Sequence, residues 1–188
     1  MSEDIDEYKK RLKRLAEKGS DEFIDNSSTE HAVAMIEALF HEAKGRVCIF
    51  SDHLNPIVYG KTEVKEAATE FMQRDKSQLV VILQFKQSGK DKLLQNTFLS
   101  DLAKYKEKIS IYEAVNELKD FSYHFMVTKT DKVTKDGKEN NAMRYELDIK
   151  EHKATGSFNA GDFGDKLFEF FDKIQEVQDK LPEEDWLN

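Results

Sequence analysis

The stretch His124-Phe125-Met126-Val127-Thr128-Lys129-Thr130-Asp131 organises the rest of this 188-residue sequence. Aromatic and β-branched residues are concentrated in it, which predicts a strand over residues 123–129. Two more strand-like segments follow at 143–149 and 154–158, and the turn-forming pair Asp136-Gly137 separates the first two strands. Three strands so close together along the chain predict antiparallel pairing.

Upstream of these strands, helical and strand-like segments alternate. Helical patterns cover residues 32–40, 64–72 and 93–105, and apolar strands cover 46–51, 79–83 and 109–112. This alternation predicts parallel strands covered by helices on both faces. A last helix is predicted over 162–181, with Phe163 and Val177 among its inward-facing residues. We therefore predict an α/β fold with a mixed, mostly parallel sheet flanked by helices.

An amphipathic helix is predicted at the N-terminus and ends near Gly19. Its apolar stripe recurs at helical spacing and consists of Ile5, Tyr8, Leu12 and Leu15. We expect residues 1–19 to be a helical extension of an α/β domain at 20–188, docked on that domain or on a partner protein. In the following helix, His31 and His41 are expected to face solvent.

The stretch 124–131 resembles the signature of the phospholipase D-like superfamily, which is His-x-Lys followed by four residues and Asp. His124 and Asp131 have the required spacing, but Met126 stands in the lysine position. Further along, Gly156-Ser157-Phe158-Asn159 resembles the family's Gly-Ser-x-Asn strand end. The order of elements over residues 21–180 is similar to one phospholipase D-like half, so the chain resembles a single-half member with a degenerate motif.

The resemblance implies phosphodiester chemistry shared by two histidines, one from each half. One histidine attacks phosphorus, the other protonates the leaving group, and lysine and asparagine side chains hold the phosphoryl oxygens without a metal. A chain with one half therefore implies a homodimer, with two copies of His124 across a cleft. In this scheme His124 and Asp131 belong to the catalytic motif. The residues implied to contact the ligand are Ser157, Asn159 and Glu146, and Glu146 is also suited to orient His124.

Each of these residues also has a structural interpretation. Asp131 suits the start of a turn, and Glu146 suits an exposed strand position. Ser157 and Asn159 suit the cap of the last helix. Separately, the polar loop at 52–56 follows a buried strand, at the edge of an α/β sheet where ligands usually bind.

Met126 argues against catalysis. A thioether donates no hydrogen bond and supplies no charge to a phosphoryl oxygen, and loss of one such donor typically costs about 10²–10³ in rate. Lys129 lies three positions further along the strand and therefore faces the opposite side of the sheet. Lys153 and Arg144 remain as cations that could reach the cleft.

Three functions remain open. The leading interpretation is a catalytically degenerate phospholipase D-like domain that acts as a homodimeric binding or interaction module, with a phosphodiester or a nucleic acid as ligand. The second is an active metal-independent phosphodiesterase or nuclease that uses His124 from two subunits. The third is a generic α/β partner-binding protein, in which His124 and Asn159 do not converge in space. The lost lysine favours a noncatalytic function over an enzyme.

Composition sets further limits. The net charge of −8 argues against nonspecific nucleic-acid binding over the whole surface. One cysteine, and five histidines without ligand spacing, predict no disulfide and no metal site, and no cofactor is expected. The sequence has neither an apolar run of membrane-spanning length nor a signal-peptide pattern, so we expect a cytoplasmic protein without membrane contact.

Overall fold

A computed structural model describes residues 4–84, 97–119, 121–134, 137–148 and 153–186. Its centre is an eight-stranded sheet in the order β1-β7-β6-β5-β2-β3-β4-β8. The strands are β1 Ile24–Asn26, β2 Ala43–Ser51, β3 Gln78–Leu83, β4 Ile109–Glu113, β5 Phe125–Val133, β6 Glu139–Asp148, β7 Lys153–Ser157 and β8 Asp179–Lys180. The helices are α1 Ile5–Lys18, α2 Thr29–Glu42, α3 Pro56–Tyr59, α4 Thr62–Gln73, α5 Thr97–Asp101, α6 Asn116–Lys119 and α7 Gly161–Gln175, with 3₁₀ turns at Ala103–Lys108 and Glu183–Asp185.

The sheet is mixed. Strands β2, β3 and β4 are parallel neighbours, and the remaining pairings among the described strands are antiparallel. The parallel strands need crossover connections, which α3 and α4 supply between β2 and β3, whereas β5, β6 and β7 follow one another as antiparallel neighbours. The predicted mixed α/β fold with helices flanking the sheet is confirmed. The prediction that the sheet is mostly parallel is wrong, because among the described strands only β2–β3 and β3–β4 pair in parallel, and β5, β6 and β7 follow one another as antiparallel neighbours.

Alternate residues of the central strands bury their side chains on opposite faces of the sheet. On one face, Val47 and Ile49 of β2 pack in the core formed with α1, α2 and α4. On the other face, Cys48 and Phe50 pack in a second core with α7. The sheet is therefore covered on both sides, which explains the continuous apolar runs in β2 and β3.

Helix α1 packs on α2 and contributes to the larger core. Its residues Tyr8, Leu12 and Leu15 are buried there, so the apolar stripe docks on the α/β fold of the same chain. The Tyr8 ring stacks on His31 with 3.9 Å between ring centroids. The expectation that His31 faces solvent is therefore wrong, because α1 covers this side of α2 and leaves His31 only 5% exposed. His41 is exposed, as expected.

The end of the chain differs from the prediction. Helix α7 stops at Gln175, and the chain turns to add β8 antiparallel to β4 at the sheet edge. The Leu181 N–H donates to Ile111 O at 2.8 Å, which continues this pairing. Val177 is therefore 63% exposed instead of facing inward, and Phe163, in the first turn of α7, is 36% exposed and packs edge-on against Tyr145.

Two other predictions fall partly on residues outside the described ranges. The helix predicted over 93–105 is described only from Thr97, as α5 followed by the 3₁₀ turn Ala103–Lys108. The tip of the hairpin between β5 and β6 includes residues 135 and 136, which lie outside the description. None of the helices in the described ranges is long and apolar enough to cross a membrane.

Candidate functional site

A cavity of about 210 Å³ opens at one edge of the sheet, where β2 and β3 end and β5 begins. Its wall comes from the start of α2, the loop after β2, α3, and the adjoining parts of β5 and β6. The polar residues that line it are Ser28, Thr29, Ser51, Asp52, His53, Asn55, Tyr59, His124, Arg144 and Glu146. The polar loop after the first buried strand thus lines a cavity at the carboxyl ends of the parallel strands.

Strand direction brings His124 to this edge. Because β5 runs antiparallel to β2, the start of β5 lies beside the end of β2, with Phe125 opposite Phe50. His124 immediately precedes β5. Strand β6 then returns antiparallel to β5, and the Glu146 N–H donates to His124 O at 2.8 Å. Adjacent strands therefore hold His124 and Glu146 side by side.

Both ring nitrogens of His124 are engaged. Nδ1 lies 3.0 Å from Glu146 Oε2, and Nε2 lies 3.0 Å from Gln84 Oε1. The orientation of the Gln84 amide is set by its NH₂ group, which donates to Leu118 O and, at 2.8 Å, to Phe121 O. The Gln84 oxygen is therefore an acceptor. The imidazole satisfies a carboxylate and an amide oxygen together only when both of its nitrogens donate.

Arg144 lies beside the position where the phospholipase D-like motif has lysine. Met126 of β5 and Arg144 of β6 are directly opposite each other in the sheet, and both side chains line the cavity. Arg144 Nη1 donates to Glu146 Oε1 at 2.9 Å. The motif's lysine is absent at position 126, but Arg144 on the neighbouring strand places a positive charge beside that position.

Glu146 joins the two basic side chains. Burial alone would raise the pKa of its carboxyl, but the hydrogen bond from His124 and the charge of Arg144 outweigh burial and lower the pKa to about 2. The carboxylate accepts from His124 through Oε2 and from Arg144 through Oε1. His124 and Arg144 therefore share one carboxylate in this cluster.

A second histidine lines the same cavity. His53 Nδ1 lies 3.0 Å from Asp52 Oδ2. Nearby, Tyr59 is buried, and this burial raises the pKa of its phenol.

Arg144 is 8% exposed, and its Nε has no hydrogen-bond partner among the described residues. Buried polar groups normally have partners, so the open Nε marks an incompletely satisfied cation in the cavity wall.

Asp131 does not take part in this cavity. It follows His124 by seven positions along β5, which at about 3.3 Å per residue separates the two by roughly 20 Å. Its side chain is largely exposed and forms an ion pair with Lys44 at 3.2 Å. Lys129 also points away and pairs with Glu139 at 3.4 Å. Lys153 is exposed and is absent from the cavity lining.

Ser157 and Asn159 also lie away from His124. Strand β7 runs antiparallel to β6, with Ala154 opposite Glu146, so Ser157 is roughly 10 Å further along and Asn159 further still. The Asn159 N–H donates to Ser157 Oγ at 3.2 Å. Asn159 lines a separate cavity beside the start of α7. The structure thus brings Glu146 to His124 but not Asp131, Ser157 or Asn159.

The position of β6 explains this difference. The strand that pairs with β5 is β6, so the residues beside His124 and Met126 are Glu146 and Arg144. Strand β7 is one further strand away, and its carboxyl end points to the opposite edge of the sheet. The Gly-Ser-x-Asn pattern therefore lies on a strand of the wrong direction to share a site with His124.

Sequence reasoning missed Tyr59 and His53, which line the cavity, and Gln84, whose amide oxygen contacts His124. Gln84 directly follows the apolar run of β3, and a polar residue at the carboxyl end of a buried parallel strand was the available signal. His53 lies in the polar loop that the sequence singled out. No sequence pattern identified Tyr59. Among the described residues, no three histidine, cysteine or acidic side chains are grouped so that they could hold a metal ion.

Comparisons with known proteins show a similarity in fold. A family model of a domain of unknown function, DUF7931, matches residues 28–96, which run from α2 to beyond β3. No curated protein matches the chain. The chain is similar to TrmBL2, an archaeal chromatin protein with a novel mode of DNA binding, at 12% identity and a TM-score of 0.57, over 94% of this chain and 62% of TrmBL2. The chain thus spans less than two thirds of that protein, and the likeness concerns the fold.

A second solved structure is Nuc, a phospholipase D family member from Salmonella typhimurium. The two chains superpose with 9% identity and a TM-score of 0.48, over 85% of this chain and 96% of Nuc.

Proposed function

We propose that this chain is a noncatalytic phospholipase D-like module that binds a phosphodiester or nucleic-acid ligand as a homodimer. The observation that carries the proposal is that both ring nitrogens of His124 are held by acceptors, Glu146 and Gln84. A nucleophilic histidine needs a nitrogen lone pair that is open to phosphorus. His124 Nε2 instead points at the Gln84 oxygen, so it offers no lone pair to a ligand.

The same contact opposes a role in acid catalysis. A general acid must be within hydrogen-bond reach of the leaving group to transfer its proton. The Nε2 position is already taken by Gln84, whose amide is anchored on two backbone carbonyls. Met126 also removes the cation that stabilises charge on phosphorus in the phospholipase D-like scheme. Binding without turnover is therefore the function that fits these contacts.

The charge distribution of the cavity supports an anionic ligand. Arg144 and His124 share the single carboxylate of Glu146, and Arg144 Nε has no partner among the described residues. A buried cation without full compensation is costly, and an anion would offset this cost. Arginine matches phosphate oxygens through its planar fork. Arg144 is thus suited to replace the lysine of the motif for binding.

A nucleic acid is the first ligand class to test. The net charge of −8 requires that such binding depend on the local cavity instead of the whole surface. The fold likeness to TrmBL2, a DNA-binding protein, makes DNA a reasonable first probe. The homodimer follows from the resemblance alone, because the chain carries one copy of the histidine motif.

The test is a metal-free assay with EDTA on single-stranded DNA, double-stranded DNA and a chromogenic phosphodiester, with solution mass measured by sedimentation. We expect a dimer that binds labelled DNA at about 50 mM salt and hydrolyses none of the substrates. Hydrolysis that disappears in His124→Ala would instead identify an active phosphodiesterase, for which the His124–Glu146 pair would be the orienting contact. A strictly monomeric protein would contradict the homodimer.

One observation favours a second candidate, a generic α/β partner-binding protein. This interpretation predicts that His124 and Asn159 do not lie in one site. The direction of β7 places Asn159 towards the opposite edge of the sheet from His124. The binding curve distinguishes the two candidates. If neither DNA nor the phosphodiester binds at about 50 mM salt, the phospholipase D-like module fails and the partner-binding protein remains.

A further inference from the structure

We infer that the cavity binds a phosphate monoester, either a free nucleotide or the phosphorylated end of a nucleic-acid strand, through Arg144. This inference rests on the proposed function and narrows its ligand. The relevant observations are the size of the cavity, its buried unpaired guanidinium nitrogen, and the number of hydrogen-bond donors that line it.

Size argues for a terminal group. The cavity measures about 210 Å³. Sites for drug-sized ligands typically measure about 300–1,000 Å³. A phosphate with a few attached atoms fits such a volume. An internal phosphodiester would need room for the strand to enter and to leave.

Arg144 supplies the charge. Its guanidinium is nine-tenths buried, it lines the cavity, and Nη1 is used by Glu146 while Nε lacks a partner among the described residues. A bound phosphate oxygen would satisfy Nε. Glu146 also accepts a hydrogen bond from His124, so its one negative charge is shared between His124 and Arg144. The guanidinium therefore retains positive charge for an anion.

Other donors in the wall suit a tetrahedral oxyanion. Ser51 Oγ accepts the Leu54 N–H at 3.3 Å, which leaves its own O–H free to donate into the cavity. Tyr59 also lines the cavity and is only 7% exposed. His53 lies in the same wall and is paired with Asp52 at 3.0 Å. Donors on several sides match three phosphate oxygens better than the two oxygens of a carboxylate.

Two carboxylates temper the positive charge. Asp52 faces the same cavity beside His53, and Glu146 lies under Arg144. His53 and Arg144 are the basic side chains beside these carboxylates, and the anion contact is assigned to Arg144 because its Nε has no partner among the described residues.

The experiment measures binding of matched probes by the full-length protein in EDTA. The probes are a single-stranded DNA oligonucleotide with and without a 5′-phosphate, adenosine monophosphate, and adenosine. We expect the phosphorylated oligonucleotide to bind at least about tenfold more tightly than its unphosphorylated form, which corresponds to about 1.4 kcal/mol. Adenosine monophosphate should compete with it, and adenosine should not.

Three variants test whether the preference for the 5′-phosphate arises in the cavity. Arg144→Met should abolish the preference for the 5′-phosphate. Tyr59→Phe removes only a hydroxyl and should weaken phosphate binding by about threefold to tenfold, which keeps the test valid if Arg144→Met does not fold. Arg46→Met is the matched control, because Arg46 pairs with Asp172 on the opposite face of the sheet at 2.6 Å and should leave binding unchanged.

The outcomes separate the two proposals. Equal binding of both oligonucleotides, lost in Arg144→Met, would overturn the monoester inference and leave the phosphodiester module intact. Binding of adenosine monophosphate without binding of either oligonucleotide would support the monoester site with a free nucleotide as its ligand, and it would overturn the proposed binding of nucleic acid. Binding of none of the probes would overturn both proposals.

Discussion

Met126 and Arg144 lie directly opposite each other on β5 and β6, so the methionine that interrupts the motif faces an arginine across one strand pair. This relationship means that the cavity has lost a lysine but still contains a cation. Arg144 donates to Glu146, which in turn accepts from His124. These contacts form one connected polar cluster, so we expect a substitution at any of its residues to change the stability of the protein.

Met126→Lys should reduce stability without creating activity. Met126 is buried beside Arg144, so a lysine there would add a buried cation to a cluster with one carboxylate. We expect a loss of about 2–5 kcal/mol in the free energy of unfolding, measured with urea, against less than about 1.5 kcal/mol for Met126→Leu. The appearance of metal-free phosphodiesterase activity in Met126→Lys would contradict the role assigned to Gln84.

Gln84→Leu should destabilise the protein through unpaired polar groups. The substitution leaves Leu118 O, Phe121 O and His124 Nε2 without the Gln84 amide. We expect a loss of at least about 3 kcal/mol on urea unfolding, since each of the three unsatisfied groups costs about 1–3 kcal/mol. Gln73→Leu, at an exposed position at the end of α4, is the control and should change stability by less than about 0.5 kcal/mol.

The lowered pKa of the Glu146 carboxyl predicts how the free energy of unfolding depends on pH. Its pKa is lowered from 4.5 to about 2 in the folded protein, so its stabilising effect is fully present above about pH 4.5 and is lost as the pH falls towards 2. At about 1.4 kcal/mol per pH unit, the effect is on the order of 3 kcal/mol. The stability difference between wild type and Glu146→Gln, followed by urea unfolding, should therefore shrink across this window.

The exposed Glu66 of α4 supplies the control for that measurement. Glu66→Gln should remain parallel to wild type over the same pH range. A constant difference between wild type and Glu146→Gln from pH 5 down to about pH 2 would show that the Glu146 carboxylate is not stabilised by His124 and Arg144.

Leu12→Ala tests whether α1 is integral to the core. Leu12 is buried among residues of α2, so its truncation should cost about 2–5 kcal/mol in the free energy of unfolding. Lys13→Ala, on the exposed side of the same helix, should change stability by less than about 0.5 kcal/mol. Similar small effects in both variants would indicate that residues 1–19 are dispensable for the fold.

Gly156→Ala tests a packing role for the glycine of the Gly-Ser-x-Asn pattern. A Cβ at this position would lie 2.2 Å from Met35 Cε of α2, closer than atoms can approach. We expect a loss of about 1–3 kcal/mol on thermal or urea unfolding. The double variant Gly156→Ala with Met35→Ala should lose less than the sum of the two single variants, because the shorter side chain makes room. Additive losses would argue against this contact.

Much of the fold could be predicted from local patterns. The apolar runs at β2 and β3 predicted strands buried on both faces, and helix α2 was predicted from its periodicity. The last helix was predicted too long, because the pattern that continues past Gln175 does not reveal that the chain turns to pair with β4. His31 was misplaced because its burial depends on α1, which is distant along the chain.

The sequence by itself determined the alternation of helices and strands, the histidine at the start of β5, and the loss of lysine at Met126. These features depend on residue type and on spacing along a single segment. Only the tertiary structure decided which residues surround His124, because that depends on the order and direction of strands in the sheet. Strand β6 lies between β5 and β7, so it supplies Arg144 and Glu146 to the cavity and removes Ser157 and Asn159 to another part of the molecule.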